Sequence, residues 1–257
     1  MKERGMIFNA EMVLAILDGR KTQTRRKVKL NIDIARLATT YDWATSLAAN
    51  HYQDLTEEQI QQKAESLRGV IHPVILGNGQ MVSIICPHGK PGDRIWVRET
   101  FCPVDDTQYG GEKWVDYRAT PRYDASHPAG WDSAPNDAEA LKWRPSIHMP
   151  RWASRILLEI TDVRVERLNA ISPEDAESEG LERTNFTGFG DEPGLPSYPE
   201  PDVYFDPLKK QWKEYPPEAF AGLWESVYGA KSWNANPWVW VIEFKRVEAE
   251  KSEGGAA

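Results

Sequence analysis

The sequence predicts an α+β fold, a small mixed β-barrel with flanking helices and long loop insertions. Three observations predict it. Short apolar runs of strand type are separated by tight turns rich in Gly and Pro. Helical periodicity is confined to a few short stretches. The two do not alternate regularly, as a doubly wound parallel sheet would require. The chain has 257 residues, 40% hydrophobic and 27% charged, which suits a globular chain with its own core.

Met6-Ile7-Phe8 reads as a strand, and Asn9 as the N-cap of a helix with Met12, Val13, Ile16 and Leu17 on one face. Gly19 ends that helix, and a basic turn follows. Residues 31–70 read as helical and polar, best from Thr56 to Leu67 with Thr56 as cap. Gln80–Cys86 and Arg94–Thr100 read as strands behind the turns Gly77-Asn78-Gly79 and Pro91-Gly92-Asp93. Residues 103–150 read as long loops with one strand, Trp114–Ala119. Arg155–Glu166 is a strand. Ser172-Pro173 opens a helix that Gly180 stops. Residues 186–207 hold five prolines and three glycines and read as irregular loop. Glu218–Tyr228 is a helix, and Trp238–Phe244 the closing strand. The expected organisation is a single domain over 1–247, with insertions at about 31–79, 103–150 and 186–215. A disordered tail is expected at 248–257.

No apolar run is long enough for a transmembrane helix, and the N-terminus shows no signal-peptide core. Two cysteines make no disulfide scaffold, so the expected compartment is the cytoplasm. Net charge is −8, which argues against a protein that coats nucleic acid non-specifically. That charge is uneven. Residues 20–29 hold six cations and no acid, leaving −14 for the rest, and residues 170–225 hold 13 acids against 4 bases. An acidic body around one basic pocket suits a small ligand.

Three segments could carry chemistry. In the first, Lys21 and Thr24 are three residues apart, and a turn-like backbone would bring amine and hydroxyl to one side. A threonine hydroxyl needs an adjacent base, and neighbouring cations can lower a lysine pKa enough to make it one. The bland reading of the same cations is compensation of a helix dipole. In the second, Glu99 shares its strand face with Ile95 and Val97, so a carboxylate points where apolar side chains point. It is either an ordinary buried ion pair or a carboxylate that positions a lysine, a water or a leaving amine. In the third, Ser146–Arg155, the residues His148, Arg151, Trp152 and Arg155 could hold a planar anionic ligand, or Trp152 could plug the core. Metal-ligand spacings, a phosphate-binding glycine loop and a nucleophile elbow are all missing from the sequence, so neither metal nor cofactor is expected.

Gly19-x-Lys21-x-x-x-x-Arg26, with Pro91-Gly92-Asp93 and Glu99 further on, resembles the ASCH family, whose fold is like the PUA barrel. The segments PGDRIWVRETF and HMPRWASRILLEITDVRVERL resemble the longer, prophage-encoded members. The resemblance implies a PUA-like barrel. One branch of the family implies an amidohydrolase that removes the acyl group from N4-acetylcytidine and related nucleosides. Lys21, Thr24 and Glu99 would then be catalytic, with Arg20, Arg26, Arg151, Trp152 and Arg155 on the substrate. Two mechanisms stand at this point. Thr24 attacks the acyl carbon with Lys21 as base, or Lys21 and Glu99 activate a water while Thr24 positions. Other members imply a different class, a non-catalytic RNA-binding or RNA-cleaving module. The expected partner is a small nucleoside-type substrate, or RNA, with no membrane.

Overall fold

The computed structural model describes residues 1–29, 32–39, 42, 56–105, 107, 112–122, 142–184 and 203–247. The expected tail at 248–257, and large parts of the three expected insertions, lie outside them. In chain order the elements begin β1 (Glu3–Ile7), α1 (Ala10–Leu17), β2 (Gln23–Lys27), β3 (Ile34–Leu37), α2 (Glu57–Ser66), β4 (His72–Leu76) and β5 (Met81–Ile84). They continue with β6 (Arg94–Arg98), β7 (Phe101–Asp105), β8 (Lys113–Tyr117), β9 (Leu157–Arg167), α3 (Pro173–Ser178) and β10 (Arg183–Thr184). Last come β11 (Val203–Asp206), β12 (Gln211–Lys213), α4 (Pro216–Tyr228) and β13 (Trp238–Val247). The fold is mixed α+β. The described ladders do not close into a barrel.

The chain divides into two compact units, each built from separate stretches of sequence. The first contains residues 1–19, 92–160 and 244–257. Here β1 runs parallel to β6, with Gly5 opposite Trp96, and β6 pairs antiparallel with the start of β9. Asn9 caps α1 by accepting the Met12 N–H at 2.8 Å, and Gly19 follows the helix at φ +77°. β7 and β8 form a hairpin in the stretch expected to be mainly loop. Phe101 packs with Met149 and Ala153, and Cys102 and Val104 pack with Trp114 and Trp143.

The second unit contains residues 20–91 and 161–243. The basic segment expected to be a turn is the strand β2, antiparallel to β13 with Thr24 opposite Ile242. The six cations of 20–29 obscured it, because β2 has almost no apolar alternation to read. β3, β4 and β5 form a meander; β3 lies in the stretch 31–70 expected to be helical and polar, and β5 falls within the expected strand Gln80–Cys86. α2 has the expected cap: Gln59 donates its N–H to Thr56 Oγ1 at 3.3 Å, and Thr56 its own to Gln59 Oε1 at 2.9 Å. Ser172 caps α3 by accepting the Asp175 N–H at 3.1 Å, with Pro173 in the first turn. The hairpin β11–β12 packs against α4, which Gly229 ends. β9 and β13 each begin in one unit and end in the other. Among the described residues no helix is long and apolar enough to cross a membrane.

Candidate functional site

Lys21 forms an isolated antiparallel bridge with Glu179, the residue that caps α3, and Thr22 donates its N–H to Ser178 O at 2.9 Å. The chain is therefore extended from Lys21 into β2. The Lys21 amine lies 2.8 Å from Glu179 Oε2 and 2.7 Å from Glu179 O, and none of its side chain is exposed. Arg25, also without side-chain exposure, donates to the other oxygen of Glu179 at 3.2 Å, to Asp175 at 2.8 Å and to Glu166 at 3.3 Å. Gln23 donates to Asp175 O. Arg164 joins the network at Asp175, Glu166 and Glu243. Two of the six cations are thus held by internal carboxylates.

Electrostatics follow from this packing. Burial pushes the Lys21 amine below its ordinary value of 10.5; Glu179 opposes that shift, and Arg26 and Arg25 add to it. For Asp175, burial works to raise the carboxyl pKa. The guanidinium groups of Arg25 and Arg164 outweigh burial and leave it below 3.8.

Lys21, Gln23 and Arg25 reach the same acidic partners, so they share one face of the extended chain. Alternation turns Thr24 to the opposite face, where it is 2% exposed. The expectation that a turn brings Lys21 and Thr24 to one side is corrected. In a strand, a separation of three residues places two side chains on opposite faces.

Glu99 is 2% exposed and shares its face with Ile95 and Val97, as the alternation requires. Its partner is Arg155, which meets both carboxylate oxygens at 2.9 and 3.0 Å. Arg155 also donates to Thr120 Oγ1 at 2.7 Å and lies 3.9 Å from the centre of the Tyr117 ring. The Tyr117 hydroxyl donates to Ala153 O. This is a fixed fork-on-carboxylate pair with an aromatic backing.

The remaining predicted residues are dispersed. Arg20 donates to the carbonyls of Gly180 and Leu181, just beyond α3. Arg26 is half-buried on β2, on the Thr24 face. Arg151 pairs with Glu3 at 2.9 Å. Trp152 is 71% exposed, so it does not plug the core. Several other tryptophans lie under cations instead: Arg98 faces Trp96, Arg167 faces Trp238, and Lys27 faces Trp224.

The chain matches no family model, no curated protein and no solved structure. The reading therefore rests on the residues. Sequence reasoning missed Glu179, Asp175, Arg164 and Glu166. The signal for the first two lay in the acidic turn Glu174–Glu179, which looked like an ordinary helix start. The signal for the others lay in the charges alternating along β9. Among the described residues, no cluster of three or more His, Cys, Asp or Glu could hold a metal ion.

Proposed function

We propose that the chain is an amidohydrolase that removes the acyl group from N4-acylated cytidine-type nucleosides, with Lys21 as the base. The observation that carries this is the fully buried Lys21 amine. It is hydrogen-bonded to Glu179, and burial lowers its pKa. A lowered amine pKa is the direction that a general base requires. The motif Gly19-x-Lys21-x-x-x-x-Arg26 and its resemblance to the ASCH family supply the substrate class.

Of the two mechanisms open from the sequence, attack by water fits the geometry better, because Thr24 lies on the strand face opposite Lys21. Neutral Lys21 takes a proton from water as the oxygen bonds to the acyl carbon. The tetrahedral intermediate then expels the cytosine amine, which takes that proton back from Lys21. The products are the cytidine and a carboxylic acid. Glu179 holds the amine before substrate binds, and the resemblance assigns the orienting role during reaction to Glu99. Nothing of the Lys21 side chain is exposed, so the reaction requires the Lys21–Glu179 contact to open when substrate binds. Thr24 shapes the opposite face of β2.

The internal pairing of Lys21 and Arg25 supports a small substrate over an RNA strand, since it removes two cations from the phosphate-binding supply. The test is release of cytidine from N4-acetylcytidine by wild type and by Lys21→Ala, Thr24→Ala and Glu99→Gln. Lys21→Ala is expected to lose about 100-fold or more, the contribution of a positioned base. Thr24→Ala is expected to keep measurable turnover. No release by wild type overturns the activity, and wild-type rates in Lys21→Ala overturn the site.

A further inference from the structure

A cleft of about 530 Å³ opens in the second unit, within the size range of small-molecule sites. Neither Lys21 nor any residue of β2 lines it. Ile171 and the small residues Ala221 and Gly222 of α4 give it an apolar base. Tyr215 and Trp233 supply flat aromatic surfaces. Phe220 meets the Trp233 ring edge-on at 6.0 Å and helps fix its orientation.

Two loops that line this cleft are held in strained conformations. Among the described residues, three non-glycine positions have positive φ: Lys210 at 53°, Lys231 at 68° and Asn236 at 41°. Lys210 is in the β11–β12 turn that presents Lys209, and the other two are in the loop that presents Trp233 and Asn234. Lysine gains nothing from the left-handed region, and such strain persists where surrounding structure enforces it, ligand clamps among the common places. The enforcing contacts are visible. Glu225 accepts the Lys231 N–H at 2.9 Å. Asp206, 1% exposed, accepts the N–H groups of Leu208 and Lys209 at 2.9 and 3.0 Å.

The charges of the lining balance. Lys209 and Lys213 stand against Glu218 and Glu225, and the buried Asp206 carboxylate lies close by against Gly222. An anion finds no excess of cations here, and a cation meets two lysines. The hydrogen-bonding capacity, by contrast, is largely unspent. Lys213 and Glu218 are 3.9 Å apart, close enough for an ion pair but too far for a hydrogen bond. Among the described residues, the side chains of Lys209, Asn169 and Asn234 have no hydrogen-bond partner. An ammonium only donates, a carboxylate only accepts and an amide does both. A hydroxyl matches all three, because it donates and accepts at one atom. A sugar ring combines a rim of hydroxyls with a face of C–H groups that can lie flat on an aromatic ring. We infer that this cleft binds a small neutral carbohydrate, its C–H face on Trp233 and its hydroxyls bonded by Asn169, Asn234, Glu218 and Lys213. Such binding is independent of the proposed hydrolase activity.

The test uses the full chain with glucose, galactose and N-acetylglucosamine at millimolar concentration, and with benzoate and cytidine as planar controls. The readout is the indole N–H resonance of Trp233, assigned by its loss in Trp233→Phe. At least one sugar is expected to shift it saturably, with an affinity that does not change as sodium chloride is raised, since the ligand carries no charge to screen. Asn234→Ala is expected to weaken binding by roughly 2- to 10-fold, the worth of one hydrogen bond, and Asn169→Ala/Asn234→Ala by more. Both asparagines are exposed, and an unchanged melting temperature will show that the fold is retained. No saturable shift with any of the three sugars, an affinity that falls with salt, an equal response to benzoate or cytidine, or undiminished binding in the double variant each overturns the inference.

Discussion

Lys21 donates to Glu179 twice, to the carboxylate at 2.8 Å and to the backbone carbonyl at 2.7 Å, with neither side chain more than 3% exposed. This pair joins the segment just before β2 to the end of α3, and Arg25 ties the same carboxylate to Asp175 and Glu166. A buried ion pair stabilises weakly against an apolar replacement, yet losing one partner is expensive. Glu179→Gln leaves Lys21 and Arg25 without their shared charge. It is expected to destabilise the fold by about 3 kcal/mol, measured by urea denaturation. The double variant Lys21→Met/Glu179→Gln is expected to be more stable than the single one.

Stability should also depend on pH through Lys21. The folded chain holds the Lys21 proton more weakly than the unfolded chain, whose ordinary value is 10.5. Where the unfolded chain binds the extra proton, raising pH favours the fold. Wild type is therefore expected to gain stability relative to Lys21→Met as pH rises from the lowered folded value towards 10.5. Denaturation midpoints of the two proteins across that window check the sign. Parallel curves would contradict it.

Asp175 acts at the other end of the scale. Burial alone would raise its pKa, but Arg25 and Arg164 hold it below 3.8 in the fold. Its contribution is present above the unfolded value and disappears as pH falls through the folded one. Asp175→Asn is expected to be less stable than wild type near neutrality and to lose less on acidification below about pH 4, the ordinary range of a carboxylate. Acid titration followed by far-ultraviolet circular dichroism measures both.

Arg155 grips Glu99 with two nitrogens, a geometry lysine cannot reproduce. Glu99→Gln is expected to cost about 2 kcal/mol, the scale of a hydrogen bond to a charged group. Arg155→Lys is expected to cost less, since the charge remains. If Glu99 serves only this pair, Glu99→Gln and Arg155→Lys will change melting temperature without changing the pH profile of turnover.

How much of this was visible in the sequence depends on the residue. Glu99 was legible, because one carboxylate in an alternating apolar run announces its own burial. The caps of α1, α2 and α3 were legible too, since Asn9, Thr56 and Ser172 bond only to neighbours in the chain. The conformation of β2 was not. Gln23 and Arg25 are buried against charges and hydrogen-bond partners contributed from about 150 residues away, and no local pattern encodes those partners. The pairing of Lys21 with Glu179 was hidden for the same reason. The strands β11 and β12 were obscured by the Pro- and Lys-rich stretch around their turn, where Asp206 supplies the order through tertiary contacts.

The most direct test of the central claim is turnover of N4-acetylcytidine by Lys21→Arg. Arginine keeps a cation beside Glu179 but cannot act as a base, because its pKa lies above ~12. Wild type is expected to release cytidine, while Lys21→Arg is at least about 100-fold slower and still folded by thermal melt. A folded Lys21→Arg protein that deacylates at the wild-type rate would contradict it.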